Sequence, residues 1–248
     1  MNPNQQTCCQ DVYKKEYEKY KERGFKGEIK SNTWTEEQVW IAMLDNGSTS
    51  EYWAATTGTK ITQGVGVNQR IGNKIQPLYA DFTVLLQWDF DQAVTATSVD
   101  ISYPNLTARS TEIIVALVMD RQPVWDPTGY TGQVSAPDPT AVYTMVGDMD
   151  VYPNINNEGR FDILYEKKIT MGWLTNNMKI LRDRVDLTDY EVAYNNIDES
   201  SFPSSNALFL YIFAPYFNEQ SQYVDEGFRV LITPSITLRY TDIKRPIL

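Results

Sequence analysis

Between Phe82 and Phe90 the apolar residues fall on every second position: Phe82, Val84, Leu86, Trp88 and Phe90, with mostly polar residues between them. A side-chain period of two marks a strand with one buried face. From about Ile75 onward the chain keeps this character. Val99–Tyr103 is a shorter strand that ends at Pro104, and Thr111–Met119 is apolar on both sides, as a central strand should be. Ala141–Val146, Arg160–Leu174, Ala207–Phe213 and Phe228–Tyr240 complete the set, with Pro234 predicting a bend or an edge position in the last. A long loop follows Asp120 and runs to about Thr140, punctuated by Pro123, Pro127, Gly129, Gly132, Pro137 and Pro139. A loop of that length on a compact domain is expected at the surface, as a contact element. No helix alternates with these strands. The predicted fold is therefore all-β: an eight-stranded antiparallel sandwich of the jelly-roll kind over 61–248, with short helical segments before it.

The first 60 residues follow a different pattern and are expected to form an N-terminal arm. After a polar stretch over 1–10, Tyr13, Tyr17 and Tyr20 recur at helical spacing, with Asp11 as a cap and Gly24 as a stop. Thr35-Glu36-Glu37-Gln38 is a capping-box pattern, and Val39, Trp40, Met43 and Leu44 would then share one helix face before Asn46-Gly47. The same residues also fit a buried strand. Both readings stand at this point.

Charge separates the arm from the rest. Residues 13–30 hold seven cations (Lys14, Lys15, Lys19, Lys21, Arg23, Lys26 and Lys30) against four glutamates, whereas 31–248 hold fifteen cations against twenty-seven acids, a net of −12. The seven cations are either a solvated helix face or candidate nucleic-acid contacts. The whole chain carries a net charge of −10, so most of its surface repels phosphate.

The 248 residues include no histidine. That removes Ser-His-Asp and Cys-His nucleophile pairs, histidine-ligated zinc and iron, and the metal-binding version of a jelly roll. The thirty-two acids supply many carboxylate pairs by accident, so none stands out for glycoside hydrolysis. No enzyme, cofactor or metal site is expected. Asp148-Met149-Asp150 offers two carboxylates, too few ligands for Ca²⁺ by themselves. Cys8 and Cys9 are adjacent and make an unlikely structural disulfide, which points to maturation in a reducing compartment. No apolar run reaches the length of a membrane span, and no signal-peptide pattern opens the chain. Asn46-Gly47-Ser48 and Asn105-Leu106-Thr107 match the glycosylation pattern, a common coincidence.

Ile61–Ile75, ITQGVGVNQRIGNKI, packs Gly64, Gly66 and Gly72 with Arg70 and Lys74 into a polar segment just before the Phe82 strand. Glycine at this density means sharp turning or close approach of another chain segment. A phosphate-cradling loop would need a third glycine at the proper spacing, a preceding strand and a following helix. No third glycine falls at that spacing, no strand is evident from the pattern before it, and no helix follows.

Asn68-Gln69-Arg70-Ile71-Gly72-Asn73-Lys74-Ile75 resembles a segment near the start of the jelly roll in capsid proteins of small circular single-stranded DNA viruses, the circovirus-like and satellite-virus-like group. Three further stretches resemble the same family, in the same order. Thr111–Pro123 looks like its strand ending in an Asp-Arg/Lys-Gln-Pro corner. Arg160–Thr170 is similar to its Arg-Phe-x-Ile-Leu-x-Asp-Lys strand, with Glu166 where Asp is usual, and Asn206–Ala214 to its penultimate hydrophobic strand. Together they cover roughly 61–240. The resemblance implies a shell protein in the virion, made inside the host cell, with about sixty copies of itself as partners. It also implies single-stranded nucleic acid on the inner face, a host receptor and no membrane. Family members commonly open with a dense arginine-rich arm; here that stretch is short, diluted by glutamate and holds one arginine. The alternative is a non-viral jelly-roll binding module for carbohydrate or a receptor ligand, using loop aromatics such as Trp125 and Tyr130.

Overall fold

The computed structural model describes residues 28–35, 39–43, 52–56, 59–66, 68–89, 110–124, 137, 139–146, 150–172, 177–194, 202–213 and 228–243. Among these, alternation and β-branched content produce thirteen strands. They are β1 (Ile29–Thr35), β2 (Val39–Met43), β3 (Tyr52–Thr56), β4 (Lys74–Asp89), β5 (Ser110–Asp120), β6 (Tyr143–Val146), β7 (Asp150–Pro153), β8 (Phe161–Gly172), β9 (Met178–Asp186), β10 (Val192–Tyr194), β11 (Pro203–Ser205), β12 (Ala207–Phe213) and β13 (Phe228–Asp242). One short helix, α1 (Pro139–Val142), precedes β6.

The pairing is nested. The first strands, β1 and β2, lie antiparallel to the last, β13; β3 pairs with β12, β4 with β9 and β10, and β5 with β8. The chain is thus one long antiparallel ribbon folded back on itself and rolled up. Cross-pairing of β13 with β4, and of β12 with β5, completes the roll. Two main sheets result: sheet one in the order β1-β13-β4-β10-β11, with β2 on β13 and β9 on β4, and sheet two in the order β3-β12-β5-β8; β6 and β7 pair in a separate two-stranded sheet. This is the jelly roll that the alternating strands predict.

Between the sheets lies the main core. Phe82, Val84 and Leu86 of β4, Ile232, Ile236 and Leu238 of β13, Ile113, Val115 and Leu117 of β5, and Leu208, Leu210 and Ile212 of β12 all contribute to it. A second apolar layer covers the other side of sheet two, where Ile114, Ala116, Val118, Phe209, Tyr211 and Phe213 meet Val142, Tyr143 and Val151. This explains why β12 is buried at all seven positions and why β5 is apolar on both faces. Of the loop expected at the surface up to about Thr140, Pro137 and the buried Pro139 instead fold back, and with α1, Tyr143 and Val151 they cover sheet two: Tyr211 Oη donates to Pro137 O at 2.9 Å, and Val142 and Tyr143 are buried. The predicted strand Ala141–Val146 begins as α1 and becomes extended only at Tyr143.

Three expectations change on the N-terminal side and at Pro234. The capping-box pattern at Thr35 leads into strand β2, the second of the two readings. Val39-Trp40-Ile41 has strand-forming residues, and β13 offers a free edge, so tertiary pairing overrides a local helix signal. Strands β1 to β3 also carry the sheets well into the expected arm, so the sandwich begins by Ile29. Pro234 sits in a central strand, buried and opposite Val84. It is tolerated because β1 pairs as far as Ser235 and β2 resumes only at Ile232, which leaves Pro234 at the break between its two partners on that side. The Tyr13–Tyr20 helix and the Val99–Tyr103 strand lie outside the described residues.

Candidate functional site

The glycine-rich segment forms a clasp inside the fold. Arg70 N donates to Thr62 O and Gly64 N to Arg70 O, both at 3.0 Å, while Gly66 N donates to Gln69 Oε1 at 2.9 Å. A Cβ on Gly64 would lie 2.1 Å from Gln69 Oε1, and Gly72 takes φ +90°, a conformation that disfavours any side chain. Arg70 points inward. Its residue exposure is 0%, its Nε donates to Ile61 O at 3.2 Å, Nη1 donates to Gly72 O, and the guanidinium lies 4.1 Å from the Tyr194 ring. Burial lowers its pKa from the ordinary arginine value, opposed by the neighbouring Tyr194 and Asp242. Two backbone carbonyls and an aromatic face hold this cation in place. A cation so enclosed cannot meet phosphate in solution; Arg70 locks the loop onto the sheets.

Lys30 belongs to the same clasp. Its Nζ is 2.7 Å from Asp242 Oδ2 and donates to Gln69 O at 2.8 Å; the Lys30 side chain is 4% exposed. Ile71 N donates to the other oxygen of Asp242 at 2.8 Å, so one carboxylate ties β1, the loop and β13 together. Lys30, grouped by sequence with the candidate nucleic-acid contacts, is therefore withdrawn from the surface: β1 directs it inward, opposite Tyr240. Lys14, Lys15, Lys19, Lys21, Arg23 and Lys26 lie outside the described residues. So do Asp148, Trp125 and Tyr130, while Asp150 opens β7. No group of three or more metal-ligating side chains occurs among the described residues.

A second constellation joins two of the sequence motifs. Asp120 ends β5 and Arg121 follows it; Arg160 immediately precedes β8, which starts with Phe161 and Asp162. The antiparallel register brings them together, and they pair reciprocally. Arg160 Nε and Nη2 donate to Asp120 Oδ1 and Oδ2 at 3.0 and 2.8 Å, and Arg121 Nε and Nη2 donate to Asp162 Oδ2 and Oδ1 at 2.8 Å each. Each arginine forms the two-pronged contact that suits a carboxylate. The pairs differ in burial: Asp120 is 0% and Arg160 29% exposed, against 21% for Asp162 and 50% for Arg121. Gln122 N caps Asp120 Oδ1 at 2.9 Å, and Tyr190 Oη donates to Asp162 Oδ2 at 2.9 Å. The bond to Asp120 raises the Arg160 pKa and the bond to Asp162 raises that of Arg121. Burial, then the Asp162 contact, pushes Tyr190 up to about 12. The Asp-Arg-Gln-Pro corner and the Arg-Phe-Asp strand start are thus two halves of one lock, which closes the turn where sheet two meets its cover.

Strand β9, Met178–Asp186, carries surface chemistry that hydrophobic patterning does not reveal. Only Leu181 is buried and Val185 half-buried; Met178, Lys179, Ile180, Arg182, Asp183, Arg184 and Asp186 are exposed. Arg184 chelates Asp81 through Nε at 2.6 Å and Nη2 at 3.2 Å, and lies 4.1 Å from the Tyr79 ring. The available signal was the set of three cations within a short extended run, Lys179, Arg182 and Arg184.

No protein-family model matches this sequence, and no curated protein matches it. Among solved structures, the chain is similar to a protein of the Israeli acute paralysis virus full particle heated to 63 degrees (11% identity, TM-score 0.36, covering 87% of this chain and 76% of that one). It is also similar to one from the native virion of Kashmir bee virus at neutral pH (11% identity, TM-score 0.33, covering 86% and 74%). A third is the 60-mer BFDV capsid protein (9% identity, TM-score 0.29, covering 90% and 100%). At these values the likeness adds nothing to the topology already described.

Proposed function

We propose that this chain is the coat protein of a small virus, a structural protein whose copies assemble into a closed shell around a single-stranded nucleic-acid genome. The observation that carries the reading is the placement of the four family-like stretches. Asn68–Ile75 forms the clasp, Thr111–Pro123 supplies β5 and its corner, Arg160–Thr170 supplies β8, and Asn206–Ala214 supplies β12. Stretches far apart in sequence therefore serve one architecture, and two of them meet residue by residue at the Asp120–Arg160 and Arg121–Asp162 pairs.

Physical reasoning agrees with that role. A rolled antiparallel ribbon is a rigid wedge, and loops at its ends can vary without disturbing the inter-sheet core. Closed shells need heterologous contacts that close by symmetry, and exposed apolar side chains supply candidates: Val65 at the clasp tip, Val124, Tyr152, Ile155, Met178 and Ile180. About sixty copies is the smallest icosahedral arrangement. The test is sedimentation of the purified full-length chain. A single fast-moving species of uniform size supports the reading, and a profile of monomer alone across salt and pH overturns it.

A further inference from the structure

We propose that the outer face of sheet one, turned away from the inter-sheet core, is the surface that meets the phosphate backbone of single-stranded nucleic acid. This rests on the shell reading above and moves its nucleic-acid contact from the N-terminal arm to the sheet. The register builds the face in rows across β1, β13, β4 and β9. One row is Ser31–Arg239–Tyr79–Asp186, the next Thr33–Thr237–Asp81–Arg184, and the third Thr35–Ser235–Thr83–Arg182. Leu181, Phe82, Ile236 and Leu238 alternate with these positions and fill the core, which fixes the rows on the outer side.

Three features make this face suited to phosphate. The first is charge: Arg182, Arg184 and Arg239 stand against two carboxylates, a balance of +1 on a chain of net −10. Both carboxylates are already engaged. Asp81 is chelated by Arg184, and Asp186 Oδ1 accepts from Thr188 N at 2.9 Å and Oγ1 at 2.7 Å. Arg182, one row beyond Asp81, is exposed. The second feature is the hydroxyl content of the second and third rows: Thr33, Thr35, Thr83, Ser235 and Thr237 are all exposed or half-exposed. Arginine with serine and threonine is the donor set that phosphate oxygens take. A protein partner fits these three rows less well, since interface cores are enriched in aromatic residues and methionine and depleted in serine; Met178 and Ile180 of the same face lie beyond the rows, at the start of β9. The third is availability. Among the described residues α1, β6 and β7, which cover the outside of a sheet, pack on sheet two.

Arg182 is the position to test, because it is exposed and lies in neither lock described above. The full chain would be titrated with a fluorescent oligothymidylate over a range of salt. Arg182→Ala is expected to lower the slope of log affinity against log salt by about 0.7, the share of one phosphate contact on a single strand. Arg182→Glu weakens binding further and Arg182→Lys restores it, while Lys168→Ala on the opposite sheet leaves it unchanged. In assembled particles, Arg182→Glu shells form but hold less nucleic acid. Wild-type affinity and slope in Arg182→Ala, or an equal loss in Lys168→Ala, overturns the proposal. Shell failure in Arg182→Glu with unchanged oligonucleotide binding also overturns it, making the face a contact between copies. If the wild type forms no shells, the shell reading falls, and the titration still decides the face.

Discussion

Replacing Arg160 by alanine should destabilise the domain by about 3 kcal/mol, the low end of the cost of breaking a buried pair from one side. The size follows from what stays behind. Asp120 is 0% exposed and opposite Phe161 on β8 and Ala207 on β12. Without the two-pronged arginine its carboxylate would keep, among the described residues, only the Gln122 N donor. Removing Asp120 instead leaves Arg160, at 29% exposure, able to reach water. Asp120→Ala should therefore cost less than Arg160→Ala. The double variant should also be more stable than Arg160→Ala alone, since it removes the stranded charge. The neighbouring Arg121–Asp162 pair serves as an internal control: Arg121 is 50% exposed, so Arg121→Ala should cost about 0.2–1 kcal/mol. Urea unfolding followed by tryptophan fluorescence gives all four values. Equal losses for Arg160→Ala and Arg121→Ala, or a double variant weaker than Arg160→Ala, would refute the reasoning from burial.

Alkaline stability is set by tyrosines. Burial raises Tyr143, Tyr165, Tyr194 and Tyr240 above the ordinary 10.0 and takes Tyr190 to about 12. Their neutral forms stabilise the fold fully below pH 10 and progressively less as pH rises through the folded values. Unfolding should therefore coincide with the rise of tyrosinate absorbance above pH 10, and an earlier transition would contradict this. With no histidine in the chain, no side chain with an unperturbed pKa in that range titrates between about pH 6 and 8, so thermal stability should be flat there. Gly72→Ala, at φ +90°, should cost about 1–3 kcal/mol. Gly64→Ala should cost less, because its new Cβ meets only the movable end of Gln69; unfolding of the two variants ranks them. Chelator should leave the melting temperature unchanged, since Asp148 and Asp150 are too few ligands for calcium; a clear drop would reinstate a metal.

Much of sheet two and the long strands of sheet one were legible because burial imposed a simple pattern. Strand β4 alternates, β12 is apolar throughout, β5 is apolar from Ile113 to Met119, and β8 and β13 are long enough to outlast local noise. What escaped were strands whose partners supply the order. Strand β1, IKSNTWT, is mostly polar, and β9 directs Lys179 and Asp183 toward the side that its apolar residues share. Charges on the inward side of an edge strand discourage pairing with other chains and erase the alternation that pattern reading needs. Position in sequence also misled: Lys30 follows a run of cations, yet the β1–β13 register places it beside Asp242. Arg70 looked like part of a basic loop and proved to be its internal fastener. The Asp120–Arg160 contact could not be foreseen, because it spans 40 residues and depends on the β5–β8 register.

The central claim is that copies of this wedge close into a shell, and electron microscopy of the purified full-length chain tests it most directly. The account predicts uniform, closed, roughly spherical particles with icosahedral symmetry in about sixty copies of the chain. Fields showing only dispersed single subunits, at neutral pH and across salt, would contradict it.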